Sequence, residues 1–395
     1  MSKNPRDTNL QFLSNRDLFY KLKGGFDKDK KFPVKVMPFD DEVLSSWFYR
    51  LSIYNHSHPS TFFNLFFPHI KNYFWSGDID INVIHDLLSE IAYKAHLPYE
   101  VLYNTTLRAY EGVVYHDYNC GRNNFITLIK RRGRHNLSHG QRVCPLCLQE
   151  DEIAYFRKSW RLSVNCICAK HGAWLIDRCD ECGNPLMLYV QNQQDAHLRC
   201  YCCKKPLANM NTSTCSKEEQ FMQLKIDNIV DKGYFEFEEK RVHSLAFFEG
   251  FSIFIKIILA KQKHKGLCGA EAYKEFHCEN GRRSDFRDKI DMITMLYLVR
   301  DIMRILESNE TLSRFIGDNR IGKTEIAFTS ALPFWLSQAI YHSIESPRVV
   351  SQIEIEHILS YLLNKNGKVT LEMVNKLIGT HLDYRKNKKI TQLIR

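Results

Sequence analysis

The chain has 395 residues, 44% of them apolar, and a formal net charge of +10. That length and apolar content suit two or three domains with real cores and exclude a wholly disordered chain, while the basic balance favours a polyanionic partner over an acidic substrate. The longest apolar run, residues 242–260, holds Glu249 and Lys256 and so reads as a buried helix instead of a membrane span. With no apolar stretch behind Met1 either, a cytoplasmic protein without a membrane partner is expected.

In chain order, residues 1–36 are polar and charge-rich and read as a flexible lead-in. Order is expected to begin at Met37, where Asp40, Asp41 and Glu42 precede a helical run whose Val43, Trp47, Phe48 and Leu51 share one core-facing side. An aromatic segment, residues 61–68, closes at Pro68. Residues 81–110 carry Ile84, Leu87, Leu88, Ile91 and Ala95 at helical spacing, a break at 96–98, and a restart behind Pro98. This is a helix-turn-helix pattern, and its candidate base readers are Tyr99, Glu100, Tyr103, Asn104 and Arg108. Two short helices around a turn are also an ordinary packing unit, and Glu100 would repel phosphate. Lys130, Arg131, Arg132 and Arg134 then place four fixed cations in a short run, suited to sequence-independent phosphate contact or to a solvated linker.

Four paired half-sites follow: Cys144/Cys147, Cys168/His171, Cys179/Cys182 and Cys200/Cys203. Two donors separated by two residues fit one tight turn that grips half of a tetrahedral Zn²⁺, so four half-sites make two ions. Sequential pairing, Cys144, Cys147, Cys168 and His171 and then Cys179, Cys182, Cys200 and Cys203, encloses one short loop per ion; cross-bracing would interleave them. Disulfides fit poorly with an odd 13 cysteines and no export signal. A catalytic zinc would keep a position open for water, whereas both sets fill all four places, so the ions are read as structural. Cys166, Cys202 and Cys215 are left over, and Cys166 or Cys202 could substitute for a neighbour.

Here a resemblance adds to the reading. The segment Met37-Pro-Phe-Asp-Asp-Glu-Val-Leu-Ser-Ser-Trp-Phe-Tyr-Arg-Leu51 resembles the opening of the TniQ/TnsD family, and Arg142 to Leu148, Ala154-Tyr155, Trp160-Arg161-Leu162, Cys168 to Gly172 and Leu175 look like the same family's spacing. The resemblance implies a target-site selector of heteromeric DNA transposons. Such a protein binds an attachment site directly, or docks on an RNA-guided CRISPR Cascade complex, and hands the target to an AAA+ ATPase regulator of the transposase. DNA, that ATPase, the guide complex and a second copy of the chain are the partners so implied.

Beyond residue 221 the composition is helical, with periodic candidates at 245–260, 290–306, 325–344 and 353–363 and a connector at 264–281 whose Cys268 lacks a close partner. A second helix-turn-helix at 369–394 would place Arg385 and Lys386 on its basic helix. Gly317 to Thr324 matches the phosphate-loop pattern letter for letter, but neither a buried strand before it nor an acid-tipped strand after it is present, so it is read as chance. An ATP-using P-loop NTPase and a generic zinc-containing transcription regulator are the rival readings. The expected fold is mainly α: a flexible segment (1–36), a helical domain with a helix-turn-helix (37–140), a double zinc knuckle module (141–215) and a C-terminal helical domain (216–395), with no catalytic residues.

Overall fold

In the computed structural model, the structure describes residues 30–71, 73–118, 123–127, 129, 140–188, 198–237, 240–262, 292–318, 333, 335–336 and 350–378. The described chain is mainly helical, with two small two-stranded sheets among the described residues.

Helix α1, Leu44–Tyr54, is buried on every side from Leu44 to Ser52. Its apolar face was expected to pack, but Ser45, Ser46, Tyr49 and Arg50 are buried too. The reason is that Trp47, Phe48 and Leu51 enter an aromatic core on one side while Val43 and Tyr49 join the cysteine-rich module on the other. The helix N-terminus is served by a distant acid: Asp80 accepts from the Ser45 amide at 2.7 Å and the Ser45 hydroxyl at 2.9 Å. Glu42 turns forward to Arg50, meeting Nε at 2.8 Å and Nη2 at 2.6 Å, and takes the Ser46 hydroxyl at 3.0 Å. Both ion-pair partners are almost wholly buried, so the pair is held by direct hydrogen bonds in place of water.

The aromatic core is assembled from α2, Pro59–Phe66, with Pro59 at its first turn and His58 accepting from the Ser60 amide. Phe48 meets Phe74 at 4.3 Å between ring centroids, and Phe62, Phe63, Phe66 and Phe67 close around them. Residues before Met37 take part as well: Phe32 lies between Phe62 and Phe66, its amide donates to Lys94 O, and Val36 O accepts from the Trp47 indole at 2.9 Å. Residues 30–36 therefore belong to this core, because a buried indole N–H needs an acceptor and a backbone carbonyl supplies it. Short helices α3, Tyr73–Ser76, and α4, Ile79–Asn82, lead to α5, His85–Ala95, which ends at His96 in the left-handed region; Pro98 then caps α6, Tyr99–Tyr103.

The cysteine-rich module begins with α7, Pro145–Glu150, and a two-residue ladder between β1, Ile167–Cys168, and β2, Ala173–Trp174. It is stitched to the helical part across the expected 140/141 boundary. Val43 N donates to Phe156 O, and the Ser159 amide donates to the Asp41 carboxylate. Arg161, 2% exposed, bridges Asp80 at 2.8 Å and Asp78, and also donates to Thr127 O. Burial pushes the Asp80 carboxyl up to about 6 against the pull of Arg161.

Helix α8, Lys217–Lys232, starts with a capping box between Ser216 and Glu219 and stops at Gly233, whose φ of 76° suits glycine. An antiparallel hairpin follows, β3, Tyr234–Phe237, with β4, Lys240–His243, pairing Phe235 with Val242. Helices α9, Ser244–Gln262, α10, Met292–Ile305, and α11, Asn309–Asp318, build the largest core with Phe247, Phe251, Leu298 and Ile302. Gly250 is required there: a Cβ would stand 2.5 Å from Trp335 Cζ2. The pair α12, Gln352–Asn366, and α13, Leu371–Ile378, has a small core of its own.

Candidate metal centres and nucleic-acid surface

Two four-donor groups form, each with its ligand atoms all within 4.8 Å of one another: Cys144, Cys147, Cys168 and His171, and Cys179, Cys182, Cys200 and Cys203. They correspond to the sequential grouping; Cys166, buried beside Ser163 O, the exposed Cys202 and the half-buried Cys215 lie outside them. Four donors around Zn²⁺ at ordinary bond lengths stand roughly 3.3–3.8 Å apart. In the first group Cys144, Cys147 and Cys168 Sγ lie 3.6, 3.3 and 3.5 Å from His171 Nδ1, and Cys147 and Cys168 Sγ are 3.5 Å apart. In the second, the Cys179–Cys203 and Cys182–Cys200 sulfurs are 3.5 and 3.6 Å apart. The donor chemistry and spacing fit a closed tetrahedral Zn²⁺ in both groups. Such an ion supplies no open coordination position and would act as a crosslink.

Backbone geometry explains why these sequences make the half-sites. Gly183 N donates to Cys179 O at 2.9 Å and Lys204 N to Cys200 O at 3.0 Å. Gly183 and Lys204 both have positive φ, 68° and 67°. Cys179 N then donates to Asn184 O and Cys200 N to Lys205 O, and the chain leaves each turn through Pro185-Leu186 or Pro206-Leu207. The repeated Pro-Leu ending is thus the exit of one turn used twice. Gly172, at φ 58°, closes the Cys168–His171 turn in the same manner, its amide on Cys168 O at 2.8 Å.

Around the first group, His171 presents Nδ1 to the sulfurs and Nε2 to Glu150 Oε1 at 2.9 Å, while Glu150 Oε2 meets Lys170 Nζ at 2.5 Å. Those two partners, Lys170 first, hold the Glu150 carboxyl below its usual range. Arg142 Nη1 donates to the carbonyls of Leu162, Ser163 and Asn165, fixing the loop between the half-sites. Glu150 meets the donor His171 directly and Arg142 holds the loop between the half-sites, and the local spacing of the cysteine pairs marks neither position.

Among the candidate base readers, Asn104 is exposed at the end of α6, and its carbonyl accepts Lys158 Nζ at 2.7 Å. Arg108 stacks over Tyr118 at 4.7 Å and donates to Val83 O, so its guanidinium is committed inward. Tyr99 stacks on Tyr103 and hydrogen-bonds His85, and Tyr103 donates to Arg108 O. Helix α6 spans five residues, with Glu100 exposed on it. The basic run Lys130, Arg131, Arg132 and Arg134, the pair Arg385 and Lys386, residues 264–281, and most of the phosphate-loop pattern, 319–324, lie outside the described residues.

The fold and these groups define a helical scaffold stapled by paired cysteine turns. The family model TniQ matches residues 33–175, which covers the aromatic core, α1 and the whole first donor group. Over that stretch the chain is similar to the TniQ family. No curated protein matches the chain.

Proposed function

We propose that this protein is a non-enzymatic target-site selector in DNA transposition, stapled by two structural Zn²⁺ ions. The observation that carries the reading is the TniQ match over residues 33–175 together with a complete donor group inside it. In this reading the chain links a target, either DNA bound directly or an RNA-guided Cascade complex, to the AAA+ ATPase that regulates the transposase. Lys130, Arg131, Arg132 and Arg134 would neutralise phosphates where the module docks, and Asn104 would be the exposed side chain of α6 nearest a base edge. Arg385 and Lys386 would add backbone contacts from the C-terminal end.

The test is reconstitution. Targeted insertion should require this chain and the ATPase, and pull-downs should join the two. A gel-shift salt series on the wild type and on a quadruple alanine variant of the basic run should show the log–log slope fall by about 3 to 4. A footprint on one attachment sequence by the chain alone supports direct reading; weak, sequence-tolerant binding that becomes targeted only with the guide complex supports docking. Absence of DNA binding together with absence of both partners in the pull-downs rejects the proposal.

A further inference from the structure

We propose that the seam between α8 and the loops carrying Asp41 and Lys158 is a binding site for an organic cation, a guanidinium or primary ammonium group with several N–H donors. Two of its carboxylates stand on α8, where Asp227 and Asp231 continue, one turn apart, a row that begins at Gln223. Gln223 anchors that row: it is 1% exposed, takes the Cys166 amide on Oε1, and donates from Nε2 to Asn165 Oδ1 and Asp227 Oδ1, both at 3.0 Å. The row then climbs outward, with Asp227 half-buried and Asp231 exposed. The third carboxylate, Asp41, acts on Asp227 from the loop ahead of α1, where the Ser159 amide holds its two oxygens at 3.1 and 3.3 Å. The Tyr110 hydroxyl completes the wall. Tyr110 is 6% exposed, and its hydroxyl makes no hydrogen bond among the described residues. Burial raises that hydroxyl well above its ordinary range, and the charges of Asp41, Asp231 and Asp227 raise it further, so it is turned toward all three acids.

The chain's own cations do not fill the site. Lys158 acts on Asp41 and Asp231 through space, but its Nζ donates to Asn104 O at 2.7 Å, stands 5.1 Å from the centre of the Tyr110 ring, and forms no ion pair with any of the three acids. Arg157, the other cation acting on Asp41, is committed to Asp151 by hydrogen bonds of 3.0 and 2.7 Å. Three carboxylates against one ammonium leave a negative excess. The acids carry its mark: burial is the largest cause raising each of them, Asp227 to about 7, where Asp231 and Asp41 add to burial. Asp41 and Asp231 nevertheless meet solvent, so the seam is walled in and open at its rim. A bare metal ion does not suit it. Such an ion gathers carboxylate oxygens at about 2.3–2.6 Å from one centre, whereas among the described residues only the two cysteine groups bring three donors within 4.8 Å of one another. A guanidinium or ammonium group reaches further, because each N–H places its nitrogen about 2.7–2.9 Å from a different oxygen, and the unpartnered Tyr110 oxygen can accept one more.

Titration calorimetry on the zinc-loaded full chain at about 0.15 M salt tests this with three probes: the blocked peptide acetyl-Gly-Arg-Gly-amide, spermidine and Mg²⁺. The first two are separate sources of one chemistry, a protein partner's side chain and a free polyamine, and the tighter binder identifies the source. At least one of them should bind with a Kd of about 1 mM or below. Asp231→Asn, at an exposed position, should weaken that binding at least about tenfold by removing a charge-assisted contact. Tyr110→Phe keeps the ring beside Lys158 and should weaken it by about threefold to tenfold. Both variants should keep their zinc content and Tm. Failure of both organic cations to bind at about 10 mM, binding that is unaltered in Asp231→Asn, or displacement of the organic cation by Mg²⁺ at equal concentration overturns the proposal.

Discussion

The two cysteine groups share their half-site chemistry and differ in what surrounds them. The first is sunk in the fold: Cys144 is 0% exposed, its loop carries the buried Phe156 and Trp160, and α1 packs Val43 and Tyr49 against it. The second is a more open lobe of two repeated turns: Cys179 and Cys200 are buried in the same apolar cluster as the first group, while Cys182 and Cys203 are half-buried and Lys205, Asp180 and Asn211 tie its edge by exposed hydrogen bonds. The TniQ match ends at residue 175, between them. A metal site can thus be sunk in a core or stand at the edge of a more open lobe that shares it.

The sharpest way to break that contrast is to remove one ligand from each. Apparent free energies of structural zinc run to about 10–16 kcal/mol, against a total stability of about 5–15 kcal/mol for a domain. Cys168→Ser should therefore give a chain that is unfolded or aggregated, since the joint with α1 goes with it. Cys203→Ser should leave a folded protein with one retained zinc, fast exchange confined to residues 177–188 and 198–210, and a Tm lower by about 5 °C at most. Elemental analysis, exchange and calorimetry read all three quantities. Equal global losses from the two variants would show that the second lobe is as deeply coupled as the first.

The next effect tests the framework that distinguishes the first group. Arg161→Ala leaves Asp78 and Asp80 buried without their guanidinium, which should cost about 3–5 kcal/mol by denaturant titration. The loss should be smaller in acid. The Asp80 carboxyl, raised by burial to about 6, already protonates more readily in the fold than in the unfolded chain. Its contribution is complete below the unfolded value and declines as pH rises through about 6; removing Arg161 raises the folded value further and steepens that decline. The variant should approach the wild type near about pH 5 and fall furthest behind near about pH 8. A pH-independent deficit would mean that Asp80 does not take the proton.

These contrasts also show what was legible in the residues. The cysteine turns could be read because a metal half-site is local: two donors, a positive-φ position at Gly183, and a Pro-Leu exit lie within a few residues. The apolar face of α1 was visible by periodicity, and the break at His96 and Pro98 by turn chemistry. That α1 is buried all round was not visible, because the second covering surface arrives from residues 155–160. The same distance hid Asp80 as the acid at the α1 N-terminus and Arg161 as its counter-charge. The β3–β4 hairpin lies in a stretch whose composition reads as helical, although Phe235 and Phe237 inward with Glu236 outward is a period of two. For the nucleic-acid candidates, Asn104 and Arg108 look alike in sequence, and only the Tyr118 ring separates an exposed side chain from a committed one.

The smallest expected effect probes the first group without dismantling it. Glu150 is more than half exposed, so its link to His171 Nε2 is wet and replaceable, yet it favours the tautomer that leaves Nδ1 free for a metal. An amide at that position can still accept from Nε2–H but carries no charge. Glu150→Gln should therefore weaken zinc retention by roughly tenfold, the low end of what carboxylates behind metal-bound histidines contribute. The readout is zinc transfer to a chromophoric chelator, in which the wild type and the variant should differ in one of two phases only. The unchanged phase belongs to Cys179, Cys182, Cys200 and Cys203, a group without a histidine for a carboxylate to orient, and should keep its place in the order of release regardless of Glu150. Lys170→Ala, which removes the other partner of Glu150, should change neither phase appreciably. If Glu150→Gln leaves both phases as they were, the carboxylate is a bystander and the first group is held by its burial alone; if both phases shift together, the two groups are coupled and the contrast between joint and lobe is lost.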